Sequence, residues 1–127
     1  MKYARTVATR EGGSRFEDVE VPARMAEVVP GRRAFSSSAA VATTGATLVR
    51  IEAGWDGAWH PTPKRWFMVT LAGELEVTST DGETRRFGPG SLWLIEDTTG
   101  RGHNTRVLSD WSGFGVDLED QSAVLAD

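Results

Sequence analysis

An all-β fold is predicted by three features of the sequence. Gly and Pro, fourteen and five of the 127 residues, stand as punctuation between short apolar runs. Several of those runs alternate apolar and polar residues with the period of two that a strand requires. Segments with helical period are nearly missing. About eight short strands spaced by turn residues suit a sandwich or a barrel, which protects its strand edges by closing on itself.

The elements follow in order. "RFEDVEVP" (Arg15–Pro22) is expected as an early strand. "RRAFSSSAAVATTGA" (Arg32–Ala46) is rich in Ser, Ala and Thr, and is expected as a loop or irregular edge over an opening of the core. "TLVRIEAG" (Thr47–Gly54) alternates and stops at its glycine. Strand "WFMVTL" leads through "AGE" to strand "LEVTS"; "TDGE" then offers an Asp-Gly hairpin turn, and "TRRF" returns. "GPG" (Gly88–Gly90) ends that strand, "SLWLIE" (Ser91–Glu96) begins the next, and "DTTGRG" (Asp97–Gly102) reads as a loop. "HNTRVLS" (His103–Ser109) restarts, and "WSGFGVDLE" (Trp111–Glu119) puts Phe114, Val116 and Leu118 on one face. "DQSAVLAD" reads as a short terminal helix or a frayed tail. Residues 1–127 make one domain, with a core over about 47–118 and edge strands and a loop over 1–46.

Composition narrows the function classes. The hydrophobic share of 39% can build a core and is too high for disorder. A net charge of −4 with no basic stripe argues against a nucleic-acid partner. The absence of cysteine removes disulfides, thiolate zinc sites and cysteine nucleophiles together. "MKYARTVATREGG" has no apolar centre, so a secretory signal is not expected, and no run reaches membrane-spanning length. A cytoplasmic protein acting on a small molecule is the simplest expectation.

The chain has two histidines, His60 and His103, each expected at the start of a strand after a turn-rich loop. At the mouth of a barrel, such residues face the place where barrels hold small ligands. Around them the sequence resembles the cupin superfamily. The first cupin motif is Gly, five residues, His-x-His, three or four residues, Glu, six residues, Gly; Gly54, His60 and Gly73 stand at three of its five positions, with Thr62 at the second His and Trp66 at the Glu. The second motif ends in Gly-x-x-His, matched by Gly100 and His103, while Thr98 replaces its Pro, Val107 its Asn, and the leading Gly is missing. The resemblance covers roughly Thr47 to Asp117 and is to small single-domain cupins that carry "EDTTG-x-GH" here, as Glu96–His103 does.

The resemblance implies a jelly-roll β-barrel, a homodimer, and a pocket lined by the motif residues. Of the four family metal ligands, three His and one Glu, it keeps His60 and His103; Glu96 or Asp97 is a candidate third donor. The metal expectation is therefore either none or a weakly held divalent ion, with Zn, Fe, Mn and Ni not distinguishable. Without a metal, two imidazoles across a cavity can take and return a proton at neutral pH.

Lys64, Arg65, Arg101 and Arg106 are candidate anchors for a carboxylate or an enolate, or else a solvated rim. Trp66 is expected to face the cavity, followed by Met68 and Thr70 on the same side. Trp59, Trp55, Trp93 and Trp111 fit either a pocket wall or plain core. The expected function is an isomerase or epimerase of natural-product biosynthesis. It would move a proton beside the carbonyl of an indolepyruvate-type or other aromatic 2-oxo acid, with His60 and His103 catalytic and Trp66, Thr62, Arg65, Met68, Trp59, Arg101 and Arg106 binding substrate. The alternatives are a metal-dependent oxygenase, lyase or cyclase on His60 and His103, and a ligand-binding cupin without activity.

Overall fold

The computed structural model describes residues 1–119 and 125–126, all of them strand, turn or coil. The strands are β1 (Lys2–Thr9), β2 (Ser14–Glu20), β3 (Arg24–Ala26), β4 (Phe35–Ser37), β5 (Thr43–Ile51), β6 (Asp56–His60), β7 (Trp66–Thr78), β8 (Thr84–Phe87), β9 (Leu92–Ile95), β10 (His103–Leu118) and β11 (Leu125–Ala126). Nine of them form one mixed sheet, ordered β11-β1-β9-β7-β10-β5, with β2 on β1, β8 on β7 and β6 on β10. The β1–β9 and β1–β11 pairs are parallel, and the other pairs are antiparallel. β3 and β4 pair with each other in a separate ribbon. Among the described residues no helix is long and apolar enough to cross a membrane.

The all-β expectation and the Asp-Gly hairpin are met. Gly82 stands at φ +93°, and the backbone closes by Ser79 N–H to the Glu83 carbonyl at 3.0 Å. Several boundaries differ from expectation. β1 lies in a segment read only as lacking a signal; its alternating Tyr3, Arg5 and Val7 pair with β2 and β9. The Ser-rich stretch contains β4 and the first residues of β5. The expected breaks at "AGE" and at Asp110 are bends within single strands. β7 and β10 remain each other's hydrogen-bonding partners past both points, with register shifts around Ser109 and Ser112. Gly73 makes the bend possible: its φ is +80°, and a Cβ there would collide with the Asp110 carbonyl. The terminal segment is not helical at Leu125–Ala126, which pair with β1; residues 120–124 and 127 lie outside the described set.

Alternation builds the core. Met68, Leu75 and Val77 of β7, Trp93 and Ile95 of β9, and Val107 and Trp111 of β10 bury the inner face, with Phe16 and Phe87 beneath them. Phe114 and Val116 project from the opposite, outer face, opposite Leu48 and Ala46 of β5. Trp111 Nε1 donates to Thr70 Oγ1 at 3.1 Å, and Trp93 Nε1 donates to Thr6 Oγ1 at 2.7 Å, so both buried indoles are satisfied.

Beside the β1–β2 pair, Arg5 binds Glu17. This bond, helped by one from Arg15 and opposed by burial, holds the Glu17 carboxyl below the ordinary glutamate range. A lowered folded-state value means the unfolded chain binds more protons in that interval. The contribution is therefore complete above the ordinary value and lost as pH falls through the folded one. Glu17→Gln is expected to cost about 1 kcal/mol at neutral pH and to give a shallower loss of stability below about pH 4.5. Urea denaturation at a series of pH values checks it.

Candidate functional site

β6 and β10 bring the two histidines together. His60 and His103 are register partners on these neighbouring strands, and their rings lie 5.3 Å apart at 49°. His103 begins its strand as expected, whereas His60 ends β6, because the short "DGAWH" strand precedes Pro61. The approach depends on Gly102. It stands at φ +73°, and a Cβ there would fall on the carbonyl of His60. Gly102→Ala is expected to cost at least about 2 kcal/mol through strain and backbone collision, read as a fall in the urea midpoint with the m-value unchanged.

Each ring is held by its Nδ1. In His103, Nδ1 lies 2.6 Å from Asp97 Oδ2, and Asp97 is 0% exposed. In His60, Nδ1 donates to the Gly57 carbonyl at 3.0 Å and lies 3.2 Å from that of Ala58. A carbonyl only accepts, so the His60 proton sits on Nδ1; the Asp97 carboxylate sets the same tautomer in His103. Among the described residues no hydrogen bond takes Nε2 of either ring, which leaves a lone pair on each. Asp97 was legible only as a metal-donor candidate. Its part as partner of His103 rests on the turn "DTTGRG" folding six residues back on themselves, where the Thr62 N–H also holds the Asp97 carbonyl at 3.0 Å.

Both rings line a cavity of about 120 Å³ together with Trp55, Thr62, Trp66, Met68, Trp93 and Trp111. Val49 and Ile51 of β5, with Pro63, Leu75, Ile95 and Thr105, complete the wall. Trp66 and Met68 therefore face inward as alternation requires; Trp93 and Trp111 belong to the wall as well as to the packed core, and Trp55 is a wall residue that stays largely exposed. Thr62 is in the wall, but its hydroxyl donates to the Lys64 carbonyl at 2.8 Å. An open surface depression of about 530 Å³, lined by Arg50, Glu52 and Ala53, shares Ile51 and Trp55 with the cavity. It is the larger space, but the cavity holds the reactive groups.

Four expected substrate contacts lie elsewhere, and strand alternation explains most of the difference. Arg65 precedes the inward Trp66 and turns the other way, binding Glu96 Oε2 through Nε at 2.7 Å and Nη2 at 2.5 Å. Trp59 precedes His60 and is half exposed, with the Arg101 guanidinium 4.9 Å above its ring. Arg106 lies between the inward Thr105 and Val107, and faces Glu76 at 3.4 Å. Glu96 likewise follows the inward Ile95. Its carboxylate is committed to Arg65, with Arg5 Nε at 3.7 Å, so it is not a third donor beside the histidines.

The donor set does not fit a cupin metal. Two imidazoles share the cavity with the Trp66 indole, and Asp97 is engaged with the Nδ1 of one of them. Among the described residues no three His, Asp or Glu side chains gather in a metal-holding group. A catalytic metal ordinarily takes three or more such protein ligands.

No family model matches the chain, and no curated protein matches it. Among solved structures it is similar to the SPY1581 protein of unknown function from Streptococcus pyogenes, at 20% identity and a TM-score of 0.49, covering 61% of this chain and 66% of that one. It is also similar to protein NMB1881 from Neisseria meningitidis, at 18% identity and a TM-score of 0.48, covering 80% of this chain and 88% of that one.

Proposed function

We propose that the chain is a cupin-type jelly roll whose cavity moves a proton beside the carbonyl of a small, largely apolar substrate without a metal. The frame reading is supported by its glycines: Gly54, Gly73 and Gly100 all occupy positive φ, at +90°, +80° and +78°, where a motif glycine is needed to turn the chain.

The observation that carries the chemistry is the pair of side-by-side imidazoles, each with Nδ1 tied and Nε2 available, in an apolar wall. Their placement differs from the expected one across the cavity. Neighbours 5.3 Å apart address one face of a substrate, which favours relocating a proton along that face, as in keto–enol or double-bond isomerisation, over inversion by bases on opposite faces.

In the proposed step, His103 Nε2 takes the proton from the carbon beside the carbonyl. The C–H pair becomes the C=C bond, the carbonyl π pair moves to oxygen, and that oxygen takes a proton from Nε2 of His60 in its imidazolium form. Return of that proton to the same carbon only exchanges it with solvent; delivery by His103 to the γ-carbon of a β,γ-unsaturated substrate on the same face, while His60 recovers one from oxygen, moves the double bond beside the carbonyl and completes the isomerisation. Asp97 stabilises the His103 imidazolium that forms. A cavity of 120 Å³, against an engineered one of about 150 Å³ that admits benzene, suits a one-ring or smaller substrate. No Lys or Arg is in its described wall, so an uncharged carbonyl compound fits better than a carboxylate held inside. A longer substrate would extend past Trp55 into the open depression, where Arg50 lies.

NMR in D2O with one-ring ketones and aldehydes tests this. Enzyme-dependent deuterium beside the carbonyl is expected. Its absence across the panel, with binding retained, overturns the reading in favour of a ligand-binding cupin, which the same apolar wall would serve.

A further inference from the structure

Trp66, Trp93 and Trp111 put three indoles in the wall of the cavity. Two are satisfied inside the protein: Trp93 Nε1 donates to Thr6 Oγ1, and Trp111 Nε1 to Thr70 Oγ1. Trp66 Nε1 is buried as well, yet no acceptor among the described residues takes its proton. An indole nitrogen can only donate, and a buried donor without an acceptor is a cost that folded proteins seldom carry without a use. The ring is also held in place. Its Cε3–Cζ3 edge lies against Gly115 of β10, where a Cβ would come within 2.9 Å of either atom, and Lys64 Nζ stands 4.7 Å from the ring centroid. With that edge against β10, the pyrrole edge carrying Nε1 is the one turned away from the strand.

We infer, on the proposed reading that the cavity takes a carbonyl compound, that Trp66 Nε1 is a second donor to the carbonyl oxygen and selects such compounds over hydrocarbons of the same shape. A carbonyl oxygen has two lone pairs. In the proposed step one of them receives the proton of His60, and the other is left for an N–H that keeps its hydrogen throughout. Both residues line one cavity of about 120 Å³, so a one-ring ligand that reaches the imidazoles also meets the indole. Negative charge growing on the oxygen strengthens the bond in the transition state, and a donor fixed beforehand makes it without reorganising. A hydrocarbon in the same place leaves the N–H buried and unpaired, which is how a polar group in an apolar wall discriminates. The wall's Thr62 does not serve in this way, since its hydroxyl hydrogen goes to the Lys64 carbonyl.

Cyclohexanone and methylenecyclohexane are matched probes, the second with a CH2 group in place of the oxygen. In 1H–15N spectra of the full chain, the Trp66 indole resonance is expected to move downfield with cyclohexanone and to move little with methylenecyclohexane. In Trp66→Phe the affinity ratio of cyclohexanone to methylenecyclohexane is expected to fall about ten-fold, the share of one neutral hydrogen bond. If that variant does not fold, Gly115→Ala, whose Cβ pushes the indole from its seat, is expected to lower the same ratio. A resonance moved equally by both probes, a ratio unchanged in the variant, or no binding of cyclohexanone overturns the inference. Deuterium uptake separates it from the chemistry. Exchange beside the carbonyl of cyclohexanone with the Trp66 resonance unmoved leaves the proton transfer standing and overturns the donor. A moved resonance without exchange supports the donor and overturns the proton transfer.

Discussion

His103→Gln is expected to lower the turnover of any substrate found by the deuterium test by about 10²–10⁴-fold, the usual share of a positioned general base. His103 is 4% exposed, and its Nδ1 is fixed 2.6 Å from a fully buried carboxylate. That arrangement leaves Nε2 as the basic atom and places a negative charge where the imidazolium will form. Asp97→Asn separates the two contributions. An amide that donates to Nδ1 selects the tautomer with its proton on Nε2, which cannot accept. The expected loss is again about 10²-fold or more, in kcat rather than KM, with a displaced acid limb of the pH–rate profile, the limb on which a general base is lost to protonation. A purely structural Asp97 would instead lower the melting temperature and leave that profile in place. His60→Gln is expected to reduce turnover by slowing protonation of the oxygen while exchange of the carbon-bound proton continues. Equal loss of both signals would reassign the base.

Arg65→Met should have the largest effect on stability, at about 3–5 kcal/mol, because it strands a buried carboxylate. Glu96 is 1% exposed, receives Nε and Nη2 of Arg65, and has only the more distant Arg5 besides. The double substitution Arg65→Met with Glu96→Leu removes both charges and is expected to recover most of the loss, since the penalty lies in the unpaired ion rather than in the missing bridge. Thermal unfolding of the two variants side by side checks this. The folded fraction of Arg65→Met should keep its KM, because this arginine faces away from the cavity. A raised KM with unchanged stability would return Arg65 to the substrate.

The sequence reading reached the frame through residues whose chemistry acts locally. Gly82 after Asp81 turns a hairpin wherever it stands, and the alternation of Trp66, Met68 and Thr70 places all three inward once the strand exists. The same rule, applied one residue further, puts Arg65, Glu96, Trp59 and Arg106 on the other side. Closeness in sequence to a histidine or a motif position is not closeness in space. In a strand, adjacent residues are the ones that cannot share a face. The parallel β1–β9 and β1–β11 pairs were missed for a different reason, since a parallel neighbour leaves no turn signal in the chain between its strands.

By itself, then, the sequence determined an all-β chain and its Asp-Gly hairpin, because these depend on backbone preferences and on a period of two. Only the tertiary structure decided that the histidines stand side by side rather than across a cavity, and that Asp97 serves His103 while Glu96 serves Arg65. It also decided that β7 and β10 bend instead of breaking. Those outcomes depend on strand register and turns that join segments from six to more than forty residues apart, and in a strand pair a shift of one residue exchanges the inner and outer faces.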